Sequence, residues 1–376
     1  RIARRASSAP PDHGQPDREA GDVAITHRQA ERRGAGSQLL QPRVQRGMVV
    51  DQLFARPDHF DCTGNETRYG PGDFWVLLSG FPPIRSSAAR PVQLRWGSTW
   101  QDRVTPHVRR ADGSMAAAAI SSATTSPHLQ LGAQIALALP QADSPITAIL
   151  VHVEGAGNIR GVLVSPYIEP VETGEARTVG LTAIYSACAG LGIALIGYNM
   201  MLWGALRLRF LLYYCMMVGA TLVYGLSSSG ALAWMLPWID NNDRLRINYV
   251  LLAATAVTAL VFIRHFFEEG ILPKWLLRAI TAACAATSAT AIAVALLAPH
   301  GIVLLDRLYA LSIVLLLAAL VPILICARRA RSHYLGLFLI AWTAPILFAI
   351  LRVANGLGFV PHQFWLDNST IIGMAM

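Results

Sequence analysis

The sequence predicts a membrane protein in which an N-terminal β-sandwich of jelly-roll type precedes a bundle of seven helices. The 376-residue chain is 53% hydrophobic and 14% charged, whereas soluble globular proteins carry about 25% charged residues. Its mean hydropathy is +0.42. The long apolar runs lie almost entirely in the second half, and short alternating segments separated by turn residues precede them. These observations indicate an aqueous β-domain followed by a membrane domain.

Residues 1–47 differ from the rest of the chain. They contain no Phe, Trp or Tyr and are rich in Arg, Gln, Gly, Pro and Ala. A segment of this composition buries too little apolar surface to offset the entropy of ordering it. We therefore expect residues 1–47 to be disordered or a spurious N-terminal extension, with Met48 as a candidate start.

Residues 48–172 are expected to form the sandwich, and 173–178 a linker. Pro and Gly turn signals separate the predicted strands, which are Asp73–Ser79, Val92–Ser98, Val104–Arg110, His128–Leu139, Ile146–Glu154 and Val162–Pro170. Regular spacing of short strands without a helical period is typical of a sandwich.

Residues 179–376 are expected to form the membrane domain, because a spanning helix needs about 20 mostly apolar residues. Six runs meet this length approximately: Val179–Trp203, Phe210–Gly230, Asn248–Ile263, Ala279–Ala298, Leu308–Ala327 and Leu335–Asn355. A seventh run begins at Ser369 and is still apolar at Met376. We expect the chain to be truncated within its seventh helix.

The basic residues of the short loops predict the orientation. The loops after the first, third and fifth runs carry eight: Arg207, Arg209, Arg264, Lys274, Arg278, Arg328, Arg329 and Arg331. The loops after the second, fourth and sixth carry three: Arg244, Arg246 and Arg307. This asymmetry predicts an extracytoplasmic sandwich and a cytoplasmic C-terminus.

Charge and cysteine usage argue against several function classes. The net charge of +8 comes almost wholly from Arg, with Lys274 as the single Lys, and no basic stripe with interleaved aromatics indicates nucleic-acid binding. The five cysteines form no disulfide or metal pattern. We predict no catalytic residues, no metal and no cofactor in this chain, which leaves open whether a longer protein is an enzyme.

Two groups of residues are candidate functional sites. Trp75, Trp96 and Trp100 lie in the sandwich, where strand aromatics can line a carbohydrate-binding face, so an unknown small molecule or carbohydrate is the predicted ligand. The candidate signal-coupling residues are the charged groups at helix ends, namely Asp240, Asp243, Arg244, Arg246, Arg264, Glu268 and Glu269.

Several stretches together resemble a known family. They include Tyr69-Gly-Pro-Gly-Asp-Phe-Trp-Val76, Tyr198-Asn-Met-Met-Leu-Trp203, Ser228-Ser-Gly230 and Phe262-Ile-Arg-His-Phe-Phe267. Their order and spacing over residues 69–376 resemble the bacterial seven-transmembrane receptors with diverse intracellular signalling modules.

That resemblance implies a sensory receptor in the bacterial inner membrane, acting as a homodimer. A missing cytoplasmic output domain would follow the seventh helix, and a GGDEF diguanylate cyclase is the first expectation, with a histidine kinase as the alternative. A transporter or channel is the alternative of another class, although no internal repeat supports it. A retinal photoreceptor would need a Lys within a helix, and Lys274 is expected in a cytoplasmic loop between the third and fourth apolar runs.

Overall fold

The computed structural model describes residues 38–40, 50–55, 60, 66–268 and 270–356. The predicted disordered segment 1–47, apart from residues 38–40, lies outside this range, as do Glu269 and the seventh apolar run. Within the described residues, a β-rich region of two antiparallel sheets is followed by a series of apolar helices.

The larger sheet has seven strands, and each of its pairings is antiparallel. The strands are β1 (Gln38–Leu40), β2 (Gly72–Leu78), β3 (Ile84–Ser86), β5 (Arg103–Arg110), β6 (Met115–Ala117), β7 (Ile120–Ser121) and β10 (Ala142–Ala156). Strand β10 lies at the centre of the sheet, between β2 and β5. Strand β1 flanks β2, β3 also pairs with β10, and β6 and β7 pair with β5.

The smaller sheet has four strands in the order β11-β4-β9-β8. These are β4 (Val92–Gly97), β8 (Leu129–Gln130), β9 (Gln134–Ala138) and β11 (Val164–Pro170). Alternate side chains of both sheets meet in one core, for example Phe74 and Val151 from the larger sheet with Leu94, Trp96 and Leu137 from the smaller. Period-two alternation places these apolar groups on one face of each strand, and burying them stabilises the pair of sheets.

One predicted strand is wrong in detail. The segment His128–Leu139 alternates as a single strand should, but the structure divides it into the hairpin β8–β9. Gly132 and Ala133 have φ values of 89° and 54°, so the chain reverses there. An alternating pattern continues across so short a turn, which is why the sequence alone conceals it.

One short helix, α1 (Val50–Ala55), precedes β2 and lies on the larger sheet. The remaining helices begin without a break after the last strand. They are α2 (Val171–Leu206), α3 (Arg209–Ser228), α4 (Ala231–Met235), α5 (Asn241–Phe266), α6 (Lys274–Leu297), α7 (Ile302–Ala318), α8 (Leu320–Arg329) and α9 (Leu335–Gly356). The expected linker 173–178 is therefore part of α2. Its residues are largely polar, so a hydropathy window leaves them out although they can continue a helix.

Five helical segments in the described part of the chain are long and apolar enough to cross a membrane. They are Val171–Leu206, Arg209–Ser228, Asn241–Phe266, Lys274–Leu297 and Ile302–Arg329, and α9 contributes a shorter apolar stretch, Leu335–Leu351. Large apolar side chains such as Met201, Leu296 and Ile340 point away from the protein. Such a surface is stable in lipid and unfavourable in water, so the chain is a multi-pass membrane protein.

A proline explains why the fifth span consists of two helices. Pro322 has no N–H to donate and its ring crowds the carbonyl of Ala318. The helix is interrupted at Ala319, between α7 and α8. Pro345, by contrast, lies inside α9.

Candidate functional site: the contact between the sandwich and the helices

The helices have two sets of ends, which we call sandwich-side and far. The sandwich-side ends include Ser228 of α3, Asn241 of α5, Leu297 of α6 and Ile302 of α7. The far ends include Leu206 of α2, Phe266 of α5 and Arg329 of α8. The candidate coupling residues fall into both sets.

The sandwich-side end of α5 is bonded to the loop that joins β4 to β5. Ser98 Oγ donates to Asn241 Oδ1 at 2.7 Å, and Asn241 Nδ2 donates to the carbonyl of Thr99 at 3.1 Å. Asn242 Nδ2 donates to Asp102 Oδ1 at 3.0 Å, while its Oδ1 accepts from the Gln101 backbone N–H. Two adjacent amide side chains thus bond the whole loop to the first turn of the helix.

Arg244 lies one turn further into α5 and is 1% exposed. Its Nη1 donates to the carbonyl of Ser227 in α3 at 2.8 Å. Its Nη2 donates to Ser98 Oγ at 2.6 Å and to Asn241 Oδ1 at 3.0 Å. Because guanidinium donors are fixed in a planar fork, this one side chain sets the relative positions of the sandwich loop, α3 and α5.

Trp100 extends from the same loop into the helices. Its side chain is buried among Ala291 and Val294 of α6, Ala298 and Ile302. The Arg246 guanidinium lies 6.0 Å from its ring centroid and donates to the Ala298 carbonyl at 2.6 Å. Trp100 therefore packs against the sandwich-side ends of α5, α6 and α7 at once.

A second contact lies beside α4. The carbonyl of Ser229 accepts from the Gly132 and Ala133 backbone N–H groups at 3.0 and 2.9 Å. Trp234 Nε1 donates to the Leu129 carbonyl at 2.8 Å. The β8–β9 hairpin is thus bonded directly to the segment between α3 and α5.

The other predicted residues near this contact have more local partners. Asp240 precedes α5 as its N-cap residue, without a side-chain capping hydrogen bond. Asp243 forms an ion pair with Arg246 within the first turn of α5. The two acidic groups therefore lie beside the contact, whereas Arg244 and Arg246 take part in it.

Sequence reasoning missed further members of the contact, among them Ser98, Asn241 and Asn242. Each supplies a short polar side chain that bonds the sandwich loop to α5. Short polar residues are common in loops and at helix starts, so they form no pattern that marks them as a contact.

The three predicted ligand-contact tryptophans lie in three different environments. Trp96 is fully buried in the sandwich core, and its Nε1 donates to Gln101 Oε1 at 3.2 Å. Trp100 packs on α5, α6 and α7. Trp75 is half-buried on the outer face of the larger sheet. They share no sheet face, and ligand contact by any of them stays a prediction.

Trp75 forms a small platform with two histidines on neighbouring strands. Its ring stacks on His152, with centroids 4.1 Å apart, and lies 5.7 Å from the ring of His107. Burial and the nearby His152 both lower the pKa of His107, so its imidazole is held neutral to lower pH than usual. The platform offers an aromatic face and hydrogen-bonding ring nitrogens.

At the far ends, Glu268 connects two loops. Its carboxylate accepts from Ser332 Oγ at 2.6 Å and from the His333 backbone N–H at 3.2 Å. The hydrogen bond from Ser332 is the main reason that the pKa of Glu268 is lowered. Arg264 is exposed on the last turn of α5, and Glu269 lies outside the described residues. Of the three residues predicted at the far ends, Glu268 thus joins the end of α5 to the loop before α9.

A metal centre is not formed by these groups. Among the residues that the structure describes, no group of three or more His, Cys, Asp or Glu side chains is placed to hold a metal ion. The arrangement instead consists of a β-sandwich bonded to one end of a set of membrane helices and polar loop contacts at the other end.

The comparison with known families agrees with this architecture. The family described as "7TM diverse intracellular signalling" matches residues 181–376, just over half of the chain. No curated protein and no solved structure matches. With its apolar helices following a β-domain, the chain belongs to the family of seven-transmembrane proteins with diverse intracellular signalling modules.

Proposed function

We propose that this chain is the sensing and membrane-spanning part of a bacterial receptor. In this proposal the sandwich binds an extracytoplasmic ligand, and seven helices pass a conformational change to a cytoplasmic output module. The observation that carries the proposal is the contact around Arg244 and Trp100, because a buried, hydrogen-bonded interface lets a change in the sandwich reach the helices. The family relationship supports a signalling role.

The orientation in the inner membrane is part of the proposal. Of the basic residues counted between the apolar runs, eight lie at or next to the far ends of the helices and three near the sandwich-side ends. Two of those three, Arg244 and Arg246, are engaged in the contact with the sandwich. The positive-inside rule then favours a sandwich outside and far ends in the cytoplasm. The seventh helix and the jelly-roll connectivity complete the proposed architecture.

A GGDEF diguanylate cyclase is the proposed output module, and a histidine kinase is the alternative. Both enzyme classes act through pairs of catalytic or substrate domains, so a homodimer is proposed with them. The family relationship supports an intracellular signalling module of some kind, and the choice of the cyclase rests on the resemblance alone.

Trp75 and the adjacent histidines form the proposed ligand face, with a carbohydrate as the ligand class. The uncovered part of this half-buried aromatic ring can stack on the apolar face of a sugar, and imidazole nitrogens can bond its hydroxyls. Trp75 lies on the sheet that contains β5, and β5 begins at Arg103, just after the loop that holds Trp100. A ligand on this face would therefore act close to the contact with the helices.

The test uses the 376-residue protein in nanodiscs and a panel of methyl glycosides. We expect a binding glycoside to quench tryptophan fluorescence and to change amide exchange at His333, whose N–H bonds Glu268 at the far ends. Trp75→Ala should abolish both responses. Trp275→Ala removes an exposed tryptophan of α6 and should leave both intact. Saturable glycoside binding without any change in amide exchange at His333 would contradict the proposal that this protein is a receptor.

A further inference from the structure

The first two turns of α2 rest on the smaller sheet through a cluster of charged and polar side chains. We call this cluster the α2 root; it comprises Gln93, Arg95, Glu169, Gly174 and Arg177. We propose that the α2 root couples the sandwich to α2, so that α2 is the helix that moves against the others. This inference rests on the proposed function and names the element that carries the signal.

No flexible linker separates the smaller sheet from α2. Pro170, the last residue of β11, pairs with Val92 of β4. The next residue, Val171, begins α2, and its backbone N–H donates to the Pro91 carbonyl at 3.0 Å. A displacement of β11 relative to the rest of the molecule therefore reaches α2 directly, with no flexible linker to absorb it.

A buried carboxylate holds two arginines at this junction. Glu169 Oε1 lies 2.7 Å from Arg95 Nη1, and Oε2 lies 3.2 Å from Arg177 Nη1. The side chains of Arg95 and Glu169 are 1% and 0% exposed, and Arg177 also donates to the Tyr167 hydroxyl at 2.6 Å. Arg95 and Glu169 belong to the sheet and Arg177 to the helix. Because a buried charge without its partner is costly, sheet and helix are held in one arrangement.

Gly174 brings the helix backbone against the sheet. A Cβ at this position would overlap Gln93 Nε2 and lie 2.9 Å from Arg95 Nη1. Arg95 Nη1 also approaches the Gly174 carbonyl at 3.5 Å. The close approach makes the helix follow the tilt of the smaller sheet, since neither backbone can shift without displacing the buried side chains between them.

Beyond its root, α2 makes few contacts with the other residues that the structure describes. Within that part of the chain, 6% of its most apolar stretch is buried, against 22–28% for the other four candidate spans. Its contacts with α3 include Gly192 against Leu222, and the Cys215 thiol of α3 facing the Ile196 carbonyl at 3.7 Å. The sandwich is bonded separately to α5 through Arg244. A change in sandwich shape between these two attachments would therefore move α2 relative to α5, because α2 has the smaller packing contact to break.

Cys215 provides a native probe of this motion, because it is buried where α3 meets α2. The other four cysteines are replaced by Ser or Ala, and the rate of labelling by a membrane-permeant maleimide is measured in nanodiscs. Arg177→Ala should raise the Cys215 rate about tenfold, since the weakly packed helix separates more often from α3. Arg177→Lys should restore part of the protection. Arg85→Ala removes an exposed sandwich arginine outside the cluster and should change nothing.

A second single-thiol protein retains Cys326 of α8 and reports general loosening. We expect its labelling rate to be the same with and without the Arg177→Ala substitution, which confines the effect to α2. If Arg177→Ala prevents folding, Glu169→Gln, which keeps the shape of the side chain, provides the same test. Unchanged Cys215 labelling, or an equal rise at Cys215 and Cys326, would overturn the proposal. The test needs no ligand and no output module, so failed glycoside binding would reject the proposed function without changing this result.

Discussion

Arg244→Ala should release the sandwich from the helices. The substitution removes three hydrogen bonds from a buried guanidinium and leaves the Ser227 carbonyl, Ser98 and Asn241 with fewer partners. Hydrogen bonds to charged groups contribute more than neutral ones, and part of the loss is offset because no charge is buried any longer. We expect the contact to weaken by about 3 kcal/mol, or roughly 100-fold in its opening equilibrium.

Amide exchange measures this release at a defined position. The backbone N–H of Gln101 bonds Asn242 Oδ1 across the contact, so its protection should fall in Arg244→Ala. Arg244→Lys should give an intermediate loss, because an ammonium lacks the planar fork that reaches α3 and the loop together. Arg278→Ala removes an exposed arginine at the far end of α6 and should leave Gln101 protected. Full protection in Arg244→Ala would show that Trp100 and the two asparagines hold the contact alone.

Trp96→Ala should unfold or severely weaken the sandwich. The indole is fully buried between the two sheets and bonds Gln101. Truncating a buried tryptophan costs about 3–5 kcal/mol, because transfer free energy is lost and a cavity is left. A domain of this size is stable by about 5–15 kcal/mol, so the substitution removes a large part of the total.

Near-ultraviolet circular dichroism and limited proteolysis of the sandwich would detect this loss. Trp275→Ala serves as the matched control, because Trp275 is exposed on α6. We expect rapid cleavage within residues 72–170 in Trp96→Ala and none in the control. A Trp96→Ala protein with an unchanged thermal midpoint would contradict the assignment of Trp96 to the core.

Sequence patterns predicted those elements whose burial follows a simple period. The strands around Val104 and Val151 alternate or run apolar because they face the core, and the apolar helical runs are long because lipid surrounds them. The β8–β9 turn and the helical start at Val171 were missed, since neither changes the local pattern of apolar residues. Tertiary packing rather than local propensity decides both.

The candidate site was predicted in part for a similar reason. Buried or helix-end charges such as Arg244, Arg246 and Glu268 are conspicuous in an apolar sequence, and the structure gives each of them specific partners. Ser98 and Asn241, the partners of Arg244, lie 143 positions apart in the sequence, and no spacing rule connects them. The pair Arg95 and Glu169 was missed because charged residues in strands usually indicate a solvated face.

The central claim is that these helices connect a sensor to a signalling enzyme, and mass spectrometry of the protein purified from its own membranes tests it most directly. We expect peptides that continue past Met376 into a cytoplasmic module of about 100–150 residues or more, with a Gly-Gly-Asp/Glu-Glu-Phe signature or a kinase nucleotide site. A protein that ends soon after the seventh helix, with no signalling enzyme purified alongside it, would contradict the claim.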